Sequence, residues 1–96
     1  MIIVAAHIMV KEGRNEEIIE GAKHCIAETR RENGCISYIL LNDVENTQRY
    51  TFFEQWESRD DFDKHTETLH FNNFTTLLQN IESANVEIDI HEVTGS

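Results

Sequence analysis

Between Tyr50 and Phe71 the chain reads YTFFEQWESRDDFDKHTETLHF, a stretch that holds its one Trp and two of its five His. On an extended strand, Phe52, Glu54 and Trp56 share one face while Thr51, Phe53 and Gln55 share the other. A carboxyl directed into an apolar layer beside Trp must be paired or hydrogen-bonded. Glu54 is therefore either an ion-pair partner across a subunit interface or a group facing a cavity. Trp56 reads equally as core, interface or cavity wall. His65 lies three residues after Phe62 and four before Leu69, on the inner stripe of a helix. A neutral imidazole there accepts or donates a proton near neutral pH; the plainer reading is a hydrogen-bonded core histidine.

His65 and His70 are five residues apart, about 140° around one helix, so they do not form the i, i+4 pair of a helical metal site. His7, His24 and His91 add no ligand spacing, and no metal is expected. His70 suits the start of a following helix. His7 and Met9 project from the first strand toward a cavity or a sheet interface. Tyr38 offers a phenolic hydrogen bond to a ligand or to the core, and Cys35 reads as a small buried filler. There is no G-x-G-x-x-G, P-loop or serine nucleophile elbow, so no nucleotide or flavin cofactor is indicated.

The elements that must hold these residues follow from periodicity. Ile2 to Val10 alternates with apolar residues on both faces, as a strand covered on both sides does. Asn15 is placed to cap a helix with Glu16 and Glu17 in its first turn. Its stripe comprises Ile18, Ile19, Ala22, Cys25, Ile26 and Thr29, and Asn33-Gly34 supplies a left-handed stop. Gly21 within that helix suits close packing on a sheet. Cys35–Leu41 forms a second strand, with Ile36, Tyr38 and Leu40 on one face, and Arg49–Trp56 a third. Ser58 followed by Asp61 opens a short helix with the inner stripe Phe62, His65, Thr66 and Leu69. Another helix begins near His70, and Val86–Val93 is the last strand. The order β-α-β-β-α-β, with its second helix split in two, is an α+β, ferredoxin-like arrangement with an antiparallel sheet. Helices cover one face of such a sheet. The apolar residues on the other face predict a homodimer closed through it.

The 96 residues are those of one domain, 1–96, with 40% hydrophobic and 27% charged residues. The net charge, 8 minus 18 or -10, argues against nucleic acid and anionic membranes as partners. No apolar run reaches the roughly 20 residues of a membrane span. The N-terminus lacks the features of a signal peptide, and two Cys make no disulfide framework, so a cytoplasmic protein is expected.

Four pieces carry a family resemblance: VKEG (10–13), ENGCISY (32–38), FFEQW (52–56) and FDKHTETLHF (62–71). In this order and spacing the chain resembles the antibiotic biosynthesis monooxygenase family of small dimeric ferredoxin-like proteins, over nearly its whole length. It departs from the family pattern at Glu12 and Leu69, where proline is usual. The resemblance implies a dimeric α/β barrel with a hydrophobic cavity in each subunit. It further implies oxidation of a quinol or polyphenol by dioxygen without cofactor. In that reading His65 is the catalytic base and Glu54 its partner. Trp56, Phe53 and Tyr38 then form walls, with His70 and His7 as further substrate-binding residues. Relatives differ: a haem-degrading branch carries Asn where this chain reads Ala5-Ala6-His7. An isomerase branch, acting on a phosphorylated carbonyl compound of autoinducer-2 breakdown, resembles His65–Phe71. A non-catalytic dimer binding a small hydrophobic ligand is the third reading.

Overall fold

A computed structural model describes residues 1–94. The elements are β1 (Ile2–Met9), α1 (Asn15–Thr29), β2 (Cys35–Asn42), β3 (Arg49–Trp56), α2 (Arg59–His65), α3 (Leu69–Ile81) and β4 (Glu87–Glu92). The sheet order is β2-β3-β1-β4, every pairing antiparallel. This is the ferredoxin-like α+β fold, with the second helical segment divided into α2 and α3. Among the described residues, no helix is long and apolar enough to cross a membrane.

The core is the helix-covered face of the sheet. Ile2, Val4 and Ile8 of β1 and Tyr50, Phe52, Glu54 and Trp56 of β3 are all buried there, against Ile18, Ala22, Cys25 and Thr29 of α1 and Phe74, Leu78 and Ile81 of α3. Alternation does the sorting, because neighbouring side chains on a strand leave opposite faces. The β2 alternation breaks where a bulge separates Cys35, paired with Trp56, from Ser37, paired with Gln55. The extra residue, Ile36, is 51% exposed, whereas the unbroken pattern put it beside Tyr38.

Other local expectations are also revised. Arg14, without a side-chain cap bond, precedes α1, and Asn15 instead donates to the Thr47 carbonyl and the Tyr50 hydroxyl (2.6 and 2.7 Å). The amide is thus spent on joining the helix start to the β2–β3 turn. Ile19 is 40% and Leu69 76% exposed. Ile19 lies off the buried line Ile18–Ala22–Cys25–Thr29, and Leu69 leaves the α2 stripe because the chain breaks at 66–68 and begins α3. A Cβ on Gly21 would overlap Leu77, so this glycine lets α1 approach α3 rather than the sheet. Ser58 caps α2 as its position implies, accepting from the Asp61 amide at 3.1 Å.

Gly34 has φ +82°, and a Cβ there would overlap the Asp61 side chain. It therefore answers both to backbone conformation and to the seating of α2. Gly34→Ala should lower the unfolding free energy by at least about 1 kcal/mol, read as a fall in the urea midpoint at unchanged slope.

Candidate functional site

Strand β3 places the one carboxyl of the core. Glu54 is 4% exposed and sits opposite Val4 of β1 and Tyr38 of β2. Its Oε1 accepts a hydrogen bond from the Trp56 indole Nε1 at 3.0 Å. The two residues are i and i+2 on one strand, so alternation alone brings them to the same face. Burial pushes the Glu54 carboxyl up to about 7; the Trp56 bond opposes this, and the charge of Glu32 reinforces it. The group therefore changes protonation near neutral pH.

A cleft of about 270 Å³ lies between this face of the sheet and α3. Ala6, Ile8, Tyr38, Phe52 and Glu54 line the sheet side, Phe71, Phe74 and Leu78 the helix side, and Ile88 the β4 side. Tyr38 packs on Phe52 with ring centroids 5.0 Å apart, and its hydroxyl lies 3.9 Å from the Cys25 sulfur. Burial first, and then the nearby Glu54 charge, raise its pKa. Tyr38 is thus a hydroxyl that keeps its proton, able to donate a hydrogen bond but not to act as a base.

His65 is fully buried behind the cleft rather than on its wall. Its ring lies 4.9 Å from Trp56, 5.0 Å from Phe71 and 5.3 Å from Tyr38, centroid to centroid. Nδ1 is 2.8 Å from Glu32 Oε2, and Nε2 is buried with no hydrogen-bond partner among the described residues. Burial lowers the pKa of the ring; the bond to Glu32 and the Glu32 charge oppose this, and His70 adds to it. His70 Nε2 reaches the same Glu32 oxygen at 2.7 Å.

Of the residues singled out from sequence, Glu54 and Tyr38 border the cleft. Trp56 and His65 form the layer behind it, and His70 joins them through Glu32. Phe53 and His7 do not line the cleft, because alternation sends both to the opposite face of the sheet. There His7 bonds Thr51 (Nδ1 to Oγ1, 2.9 Å) and meets Asp89 (Nε2 to Oδ2, 3.3 Å). Glu54 lies on the helix-covered face of the sheet, and its hydrogen-bond partner is Trp56, within its own strand. His65 and His70 do not share one continuous helix, on which five residues would set them about 140° apart: α2 ends at His65 and α3 begins at Leu69. The break at 66–68 instead turns both imidazoles toward Glu32, and the three ligating atoms lie within 4.8 Å of one another. Glu32 was not recognisable beforehand. It sits in the turn after α1, and its position inside ENGCISY was the one available signal.

The Glu54 carboxyl makes a prediction with a definite sign. A folded-state pKa of about 7, above the ordinary 4.5, means that the native protein binds more protons than the unfolded chain between those values. Stability from this group is full at low pH and lost as pH rises through that window, and His65, shifted downward, acts in the opposite direction. Glu54→Gln keeps an acceptor for Trp56 and removes the titration. The variant should gain up to about 3 kcal/mol over the parent between pH 4.5 and 8, measured by urea unfolding at each pH.

The fold and site together define a small α+β protein with a lipophilic cleft and one proton-exchanging carboxyl. Residues 1–77 match the model of the antibiotic biosynthesis monooxygenase family, and the chain belongs to that family. The chain is 34% identical over 92 residues to the uncharacterised protein sll1783 of Synechocystis, covering 96% of this chain and 63% of that one. It therefore spans a little under two thirds of that relative. It is 28% identical to the Bacillus subtilis protein described as "Putative monooxygenase YcnE", covering 92% and 93% of the two chains. Among solved structures, a conserved protein from Methanosarcina mazei Go1 superposes with a TM-score of 0.93 at 31% identity, covering 97% and 92%.

Proposed function

We propose that the protein is a cofactor-independent monooxygenase that takes a small aromatic quinol or polyphenol into the cleft and oxidises it with dioxygen. The observation that carries this reading is the Glu54 carboxyl, buried on the wall of a mostly apolar, aromatic-lined cleft and held by the Trp56 N–H. Membership of the family and the likeness to YcnE support it. In the carboxylate form, Glu54 takes the phenolic proton, with the Trp56 N–H holding its other side. The Tyr38, Phe52, Phe71 and Phe74 rings bound the substrate ring. The resulting phenolate is electron-rich enough to reduce dioxygen itself, so the protein need only bind, deprotonate and exclude water. In the balanced reaction a ring CH2, the keto tautomer of the phenol, becomes C=O while the second oxygen atom leaves as water. All four electrons come from the substrate. The base in this reading is Glu54 rather than His65, which packs behind Trp56 and holds that wall.

An isomerase acting on a phosphorylated carbonyl compound is less well supported, since the charged groups on the cleft wall, Glu54 and Glu82, are both acidic and repel phosphate. Oxygen consumption with a panel of hydroquinones tests the oxygenase. Uptake should increase with pH through about 7, and Glu54→Gln should lower kcat/KM by about 100-fold or more. Uptake no higher than the blank with every quinol would sink the proposal. An aromatic that binds but is recovered unaltered would make the protein a binding module.

The assembly we propose is a homodimer closed through the face of the sheet that carries no helices. Ile3, Ala5 and Met9 of β1, Phe53 of β3, and Ile39 and Leu41 of β2 share that face, with Leu41 47% exposed. Apolar area of this kind is ordinarily covered by a partner. Light scattering should give about twice the 11.2 kDa of one chain, and Phe53→Glu should return the single-chain mass. A parent protein that scatters as one chain contradicts the dimer.

A further inference from the structure

Three side chains with ligating atoms converge beside Trp56, and none of them lines the cleft. Glu32 comes from the turn after α1, His65 from the last residue of α2, and His70 from the first turn of α3. Both imidazoles address one carboxylate oxygen, at 2.8 and 2.7 Å. The side chains are 1% exposed at His65 and 14% at both Glu32 and His70, so the cluster is nearly dry but reachable from one side. Trp56 and Phe71 pack directly on His65, giving it the apolar surround typical of a protein metal centre.

We propose that Glu32 Oε2, His65 Nδ1 and His70 Nε2 bind a divalent first-row cation such as Zn2+. Two imidazole nitrogens and one carboxylate oxygen are a borderline ligand set that suits this class of ion. Metal–ligand bonds of about 2.0–2.2 Å place neighbouring ligand atoms roughly 3.0–3.4 Å apart. The two nitrogen-to-carboxylate separations need open by only a few tenths of an ångström, while the two imidazole nitrogens, within 4.8 Å of one another, must come into the same range by rotation of the partly exposed His70 and Glu32 side chains. The ion takes the place of the hydrogen between each imidazole and Glu32, and each neutral ring then carries its one proton on the other nitrogen, Nε2 of His65 and Nδ1 of His70. A water completes the coordination on the exposed side. Such an ion ties the helix break at 66–68 to the end of α1, clamping the layer behind the cleft. The -10 net charge enriches cations around the molecule. This inference is independent of the monooxygenase reading, because none of the three ligands lines the cleft.

The test loads the metal-free protein with Zn2+, removes the excess, and counts bound zinc by atomic emission. A chelating dye competes for it in a parallel titration. One ion per chain is expected, with a higher thermal midpoint in its presence. Co2+ substitution should give the visible absorption of a four-coordinate site. His70→Ala, at a partly exposed position, should lower affinity by about 10–100-fold and abolish the thermal shift, as should Glu32→Gln. Zinc binding that survives both substitutions places the ion elsewhere and overturns the proposal. So does a parent protein that retains no zinc, which would leave two imidazole N–H groups donating to one carboxylate oxygen as the whole of the interaction.

Discussion

The rest of the molecule depends on the two-sided register of β3. This strand pairs with both β1 and β2, so its alternation is imposed on its neighbours through the hydrogen-bond ladder. One face delivers Tyr50, Phe52, Glu54 and Trp56 to the helices, and the other delivers Thr51, Phe53 and Gln55 to the opposite side of the sheet. A slip of one residue would exchange the two sets. It would expose Trp56 and drive Gln55 into the core, and neither is tolerable. The buried carboxyl, the cleft floor and the apolar outer face are therefore three consequences of a single register.

Within that register Glu54 is the costly residue. A carboxyl taken out of water needs compensation, and one indole N–H at 3.0 Å compensates only in part. The remaining cost appears as a proton held up to about 7. A hydrophobe of similar size would pack there without penalty. The Glu–Trp pair behaves as a structural expense whose return is a proton-exchanging group on the wall of an apolar cleft.

The second feature with wide effect is the interruption between α2 and α3. The Thr68 side chain accepts from the Phe71 amide and donates to the His65 carbonyl. One threonine thus satisfies both sides of the break. The break redirects His70 toward Glu32 and exposes Leu69, and it lets α3 run back along the sheet to form the roof of the cleft. The same short turn thus shapes the cleft and gathers the imidazoles behind it.

Much of the fold was legible in the residues alone: period-two and period-3.6 patterns gave the element order, the split second helix and the ferredoxin-like architecture. The side-chain pair Glu54 and Trp56 was legible too, because residues i and i+2 of a strand share a face by geometry. Errors arose where a local pattern was overruled by something distant. The β2 bulge moved Ile36 off its expected face, and the Asn15 amide was taken by the β2–β3 turn instead of a helix cap. His7 and Phe53 went to the face opposite the cleft, since alternation says which residues travel together but not which side the helices cover. By itself, the sequence determined the periodicities, the acidic charge and the neighbours along each element. Only the tertiary structure decided that Glu54 rather than His65 reaches the cleft, and that Glu32 meets two histidines more than thirty residues away. Contacts between elements depend on how helices seat on a twisted sheet, and no local run of residues encodes that distance.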